Sequence, residues 1–395
     1  MTIVPMFLLT LGAINWGYVY PLVFLFTALL RQRVLGKEIC FNFLYASSFW
    51  LLLAAGMSYA LIGVRTISGV YHHGILPVIA FAIGWILAEG SSDEQVRDGI
   101  LALAAGFGTY AALNMLVNFG NNRYRLIDFW TGTYRAATGS GALNTMPISA
   151  APYAVKFEKR TAVKLLFLAQ LLATIQYMFM LGTRTQFAIL LLIVLLAALQ
   201  FAYSGQGVAG VLKCIGIMAV IGLIALLFYQ FNLLSIRDYI LHTNLAARYE
   251  RRASLESSDS FRFQIFWIGL RELLQYPLGG RADQLYRHNM WLDVGRVAGI
   301  LPFCLLLIYS IKNFVNAAAI CKDRNVLPSL RCLLLFLYIG AYVNCSVEPI
   351  WEGALNFFLA LCVVDGMISA MMRRSENESD PRESIPDASG FYANM

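Results

Sequence analysis

Three residues combine a reactive side chain with a placement that gives it a use: Arg184, Arg262 and His288. Arg184 stands just before the apolar run TQFAILLLIVLLAALQ. Arg262 follows Ser258, Asp259 and Ser260, good N-caps for a helix FRFQIFWIGLRELLQY that Pro277 and Gly279-Gly280 must stop. A cation in the first turn of a helix opposes the macrodipole at a cost of roughly a few tenths of a kcal/mol, so an arginine there is explained by an anion beside it. Backbone donors at a helix start plus a guanidinium form a phosphate clamp, because the planar guanidinium meets phosphate oxygens two at a time. His288 is expected to open a further helix, where the same dipole disfavours protonation and leaves a neutral imidazole able to accept a proton near pH 7. Two anion clamps and one base are the parts needed to displace a pyrophosphate leaving group. From spacing alone, a capping or hydrogen-bonded structural histidine is the alternative.

The elements that must position these residues are membrane spans. With 395 residues, 59% of them hydrophobic and only 13% charged, and a mean hydropathy of +0.63, the composition excludes a water-soluble globule. About 20 apolar residues cross a bilayer core as a helix. Apolar runs occur at about 3–29, 41–63, 74–89, 98–118, 141–155, 161–181, 185–204, 211–232, 297–311, 330–346 and 353–371. The first holds Gly12, Asn15 and Gly17 in its middle and is compatible with a hairpin; the fifth is short. The expected fold is an all-α polytopic integral membrane protein of 11–12 transmembrane helices in one domain, 1–371, with a large helical outer loop at about 235–296. The polar segment 372–395 is expected to be a disordered cytoplasmic tail. The seven cysteines show no metal-type or framework spacing, so packing is their expected role. The apolar N-terminus lacks the basic region and cleavage site of a removed signal peptide.

Charge sorts by side. When spans alternate, all seven lysines fall on one side, cytoplasmic by the positive-inside tendency, whereas fourteen arginines face outward, nine of them between Ser235 and Arg296. The net charge of +7 is therefore no sign of nucleic acid; an outer surface rich in arginine and empty of lysine points to a phosphate-bearing ligand. The competing explanation is pairing with the loop's own acids or with lipid headgroups. Arg123, Arg125, Arg281 and Arg287 join the candidate substrate contacts, as do Tyr286 and Trp291, whose rings are near His288 in sequence and suited to stacking on sugars. For most outer aromatics an interfacial belt suffices. Glu348, in NCSVEPIWEG, is the best-placed outward carboxylate, able to orient His288 or contact sugar. No paired Asp-x-Asp occurs on the outward face, so no metal ligand and no cofactor are expected.

The ordered set GTR before a span, SFR-x-x-x-x-W, PLGG and HN-x-x-LD-x-x-x-x-x-GI resembles the O-antigen ligase and Wzy-type O-antigen polymerase superfamily over roughly residues 160 to 370. The resemblance implies a glycosyltransferase-C-like membrane enzyme whose active site is Arg184, Arg262 and His288, with Asn289 as the motif neighbour. It implies inverting, metal-independent transfer from an undecaprenyl-pyrophosphate-linked oligosaccharide, in a bacterial inner membrane, with the site facing the periplasm or exterior. Partners would be that lipid-linked glycan, membrane lipids, a chain-length regulator and a flippase. The segment RADQLYR between Gly-Gly and His288 is short for the family, leaving little room for a separate acceptor-binding segment. A polymerase is the leading expectation, a ligase to lipid A core the alternative. A flippase for lipid-linked sugars is a third reading, disfavoured because no internal repeat is visible and the unusual residues lie at the outer face.

Overall fold

The computed structural model describes residues 3–34, 42–119, 126–134, 137–247 and 258–379. Their regular structure is helical; outside helices there is one isolated bridge, Ile127 to Tyr134. In lipid only internal hydrogen bonds satisfy the backbone, so helix is the form these apolar runs must take. Eight helical segments are long and apolar enough to cross a membrane, which makes the chain a multi-pass membrane protein.

In chain order the helices are α1 (Ile3–Leu11), α2 (Trp16–Val34), α3 (Ser47–Val64), α4 (Ile67–Ala88), α5 (Asp93–Val117), α6 (Ala137–Leu143), α7 (Thr145–Lys156), α8 (Thr161–Leu181), α9 (Arg184–Gln230), α10 (Ile236–Leu241), α11 (Ser258–Gln275), α12 (Met290–Ala298), α13 (Ile300–Lys322), α14 (Pro328–Val347), α15 (Ile350–Gly353) and α16 (Leu355–Ser379). The first apolar run is the hairpin: it breaks at Gly12, whose φ of +78° lets the chain leave α1. The fifth run is not one straight span but α6 and α7, joined at Asn144. Helix α9 is two helices joined at Gly207, at φ 60° and ψ −143°. Wide π-turns occupy Tyr59–Val64 of α3 and Val70–Ile75 of α4.

Helix α16 lies at the centre, and close approach to α4 puts it there. A Cβ at Gly84 would fall 1.8 Å from the Val363 carbonyl oxygen, and one at Gly366 2.0 Å from that of Phe81. Without a hydrophobic drive between helices in lipid, such small-residue contacts are the main packing device. Helix α9 is peripheral and presents Leu191, Val194, Leu212 and Leu223 outward, as expected for side chains in contact with lipid tails.

The turn after α11 and the α12–α13 junction are fastened by backbone. Gly280 and Arg281 N–H donate to the Val297 and Arg296 carbonyls (3.0 and 3.1 Å), and Ile300 N–H donates to Pro277 (2.9 Å). Gly279 and Gly299 face each other here at φ +73° and +92°, and a Cβ on either would meet backbone at 2.5 or 2.2 Å. The Pro-Leu-Gly-Gly turn is thereby locked to the α12–α13 junction, and the chain between them, which carries His288, closes into a short loop.

Candidate functional site

The site lies at the end of the bundle where α8 gives way to α9, α12 begins and α14 stops. Gly182, left-handed at φ 68°, ends α8, and extended Thr183 sets Arg184 as the first residue of α9. The next two residues bind this start to the end of α14. Thr185 Oγ1 donates to Glu348 Oε1, and Gln186 Nε2 donates to Asn344 Oδ1 (3.3 Å), whose amide in turn reaches Thr145 Oγ1 (3.0 Å) and the Ala142 carbonyl (3.3 Å).

Glu348 is the C-cap of α14 and is buried. Its second carboxylate oxygen lies 4.0 Å from His288 Nδ1, an electrostatic distance rather than a hydrogen bond. Arg184, Glu348 and His288, separated by more than a hundred residues and by sixty in sequence, thus share one end of the bundle, with Thr185 Oγ1 as the link.

His288 does not open α12 as the sequence reading expects. Asn289 is the N-cap, accepting from Leu292 N–H (3.0 Å), and His288 precedes it with φ 52°. That left-handed conformation costs a non-glycine residue about 1–2 kcal/mol, and the surroundings over-determine it. The Asp293 carboxylate accepts from Arg287 N–H (2.6 Å) and Asn289 N–H (3.3 Å), the amides on either side of His288. Asn289 Nδ2 donates to the Ser346 carbonyl (3.1 Å), two residues before Glu348. Backbone strain held this firmly, with a third of the imidazole exposed, is the pattern of a positioned functional group.

The other expected site residues take different places. Arg287 is buried, donating to Glu272 through Nε (2.9 Å) and Nη2 (2.5 Å) and to the Leu285 carbonyl (2.8 Å). Arg281 stacks on Tyr276 at 4.6 Å and stands 3.9 Å from Glu272. Both guanidiniums therefore tie the loop to α11. Trp291 packs against Tyr342 and donates to Ser310 Oγ (3.0 Å), between α13 and α14. Tyr286, partly exposed, covers the Arg296 guanidinium at 5.5 Å. Arg262 lies near the start of α11, its side chain outside the described residues; Arg123 and Arg125 lie outside them altogether.

Arg296 and Glu352 form a second polar centre that the motifs do not single out. Arg296 Nη1 donates to the carbonyls of Arg281 (2.7 Å), Ala282 (3.0 Å) and Gln284 (2.9 Å), and Nη2 to both oxygens of Glu352 (3.0 and 2.9 Å). Burial pushes the Glu352 carboxyl up to about 7 against the pull of Arg296, and burial raises Asp293 as well, against the Arg287 amide and Arg296. The one signal for this pair in the sequence is a second acid four residues after Glu348 in the same short turn. Its buried arginine holds the carbonyls of the 281–284 loop and so fixes the approach to His288.

Chemically, the arrangement supplies a partly exposed imidazole facing a carboxylate, and an arginine at the helix start next to the threonine that bonds that carboxylate. No protein-family model matches the chain, and no curated protein matches it.

Proposed function

We propose that the chain is a membrane glycosyltransferase that moves a glycan from undecaprenyl pyrophosphate to the hydroxyl of a second lipid-linked repeat unit, a polysaccharide polymerase working at the arginine-rich end of its bundle. The observation that carries the reading is the meeting of His288, Glu348 and Arg184 at one helix junction. Glu348, facing Nδ1, favours the tautomer with its proton there and leaves Nε2 to accept. His288 Nε2 takes the proton of the acceptor hydroxyl, whose oxygen bonds to the anomeric carbon from the face opposite the leaving group. The anomeric C–O bond to the diphosphate breaks, its electron pair leaves with the pyrophosphate, and the configuration inverts. Arg184 at the start of α9, together with Arg262, stabilises the charge that grows on the diphosphate oxygens, an interaction stronger in the transition state than in the bound substrate. The lysines at the opposite helix ends support an inner-membrane orientation with this site on the periplasmic or exterior side.

The test is reconstitution of the purified chain with an undecaprenyl-pyrophosphate repeat unit, with and without lipid A core, and separation of the products by size. A ladder without core is expected, and His288→Ala in the folded protein should abolish it. Product only in the presence of core would make the chain a ligase. Lipid crossing the bilayer with no covalent product would remove the enzyme reading.

A further inference from the structure

At the other end of the bundle, where the lysines gather, α3, α4, α13, α16 and the turn at Tyr45 and Ala46 border an open cavity of about 420 Å³. Lys312, Arg373, Trp85, Ser369, Ser47 and Asn316 all border it with groups able to donate, and among the described residues no carboxylate does. Two of these groups are buried and unsatisfied. Trp85, 2% exposed, and Ser369, 7% exposed, leave the indole Nε1 and the hydroxyl without a hydrogen-bond partner among the described residues. An unmade hydrogen bond of a buried polar group costs about 1–3 kcal/mol, and an indole N–H can only donate. The missing partner is therefore an acceptor.

Among the described residues the cations are likewise without acids. Lys312 Nζ donates to Ser47 Oγ; Arg373 donates to the Asn42 carbonyl (3.0 Å) and stacks on Tyr45 at 5.1 Å. The acids nearby are engaged elsewhere: Glu89, bordering the adjoining cleft with Trp85 and Arg373, accepts from Asn42 Nδ2 (2.6 Å), and Asp93 pairs with Arg374 (2.9 Å). Two cations and two unfilled donors around one cavity suit an anion with several acceptor oxygens, such as a phosphate group.

Position selects the source of that phosphate. At 1.5 Å per residue, Lys312 lies about 18 Å from the start of α13 and Arg373 about 27 Å from the start of α16. Against a hydrocarbon core of about 30 Å, Arg373 reaches the far side, whereas the Lys312 backbone stops about 12 Å short of it and its stem carries Nζ to Ser47, the first residue of α3, at this end of the bundle. The α13 and α3 surfaces beside the cavity expose Ile308, Ile311, Val315 and Trp50, an apolar track for acyl chains. We propose that the cavity between α3, α4, α13 and α16 binds the phosphate of an anionic phospholipid from this leaflet, with Lys312, Arg373, Trp85 and Ser369 as its donors. The assignment stands independently of the chemistry proposed at His288.

The probes are dioleoylphosphatidylglycerol, dioleoylphosphatidylcholine and inorganic phosphate, each added to the purified full-length chain in detergent, with bound adducts read by native mass spectrometry and the unfolding temperature measured alongside. Phosphatidylglycerol is expected to be retained and to raise the unfolding temperature, phosphatidylcholine and inorganic phosphate to do neither. The double variant Lys312→Ala/Arg373→Ala should bind phosphatidylglycerol at least about ten-fold more weakly, the loss of charge-assisted hydrogen bonds. Should that variant not fold, Ser369→Ala removes one donor with little change of volume and Trp85→Phe removes the indole N–H while keeping an aromatic ring; each should weaken binding several-fold. Saturation by inorganic phosphate with the same sensitivity would make this a free-anion site and overturn the lipid assignment. Equal retention of both lipids, or binding indifferent to all four substitutions, would overturn the site.

Discussion

His288 is strained, partly exposed and bracketed by Asp293 on both sides, whereas the arginines next to it in sequence, Arg281 and Arg287, are turned to Glu272. A carboxylate facing an imidazole raises the imidazole's proton affinity by Coulombic attraction. Replacing Glu348 by Gln keeps the Thr185 contact and removes the charge. The expected result is a loss in kcat of about ten- to a hundred-fold, with the limb of the pH–rate profile that reports the base moving to lower pH. A fall in activity with an unmoved profile would mean that Glu348 only holds the junction together. The histidine and its Asn-x-x-Leu-Asp context are legible in the sequence because capping chemistry is local. The partnership with Glu348 is not, because sixty residues and two complete spans, α13 and α14, intervene.

Among the elements, the decisive local feature is the lock between the Pro-Leu-Gly-Gly turn and the α12–α13 junction. Both Gly279 and Gly299 are left-handed, with backbone where a Cβ would go, so no rotamer change relieves a substitution. Gly299→Ala is expected to destabilise by about 1–3 kcal/mol, the range for overpacking, lowering the unfolding temperature and loosening the loop before His288; an unchanged unfolding temperature would show that the junction yields. The glycines announce a turn, but what it docks against is invisible in the pattern. The same holds for Gly84 and Gly366, whose sequence signal is only a small residue in an apolar run, although together they bring the α4 and α16 backbones into contact. The fifth apolar run, read as a weak span, is short because it is α6 and α7, and Asn144, between them, is buried in the helix–helix contact.

For the whole molecule, the arginine end and the lysine end carry different chemistry: a strained imidazole, a carboxylate and Arg184 at one, and at the other a donor-lined cavity with Lys312 and Arg373. Single cysteines placed at Gln206 and at Asp283 in a cysteine-free background should react with a membrane-impermeant thiol reagent from opposite sides of sealed vesicles, Asp283 from the side that His288 faces. Labelling of both from one side would overturn the alternation of spans and with it the separation of the two ends.

Hydrophobic run length, the Arg and Lys segregation and the capping residues are properties of composition and nearest neighbours. They are sufficient for a helical membrane protein and for the nomination of Arg184, Glu348 and His288. Which donors lack acceptors, which arginines serve the protein's own acids, and which glycines meet backbone depend on contacts between segments far apart in the chain. Arg296 with Glu352, and Trp85 with Ser369, acquire meaning only when α12 meets α15 and α4 meets α16. The reason is physical: a bilayer imposes helix on every apolar run alike, so periodicity says that a run crosses but not which face meets which neighbour, and in these helices close packing and a few buried polar groups make that choice.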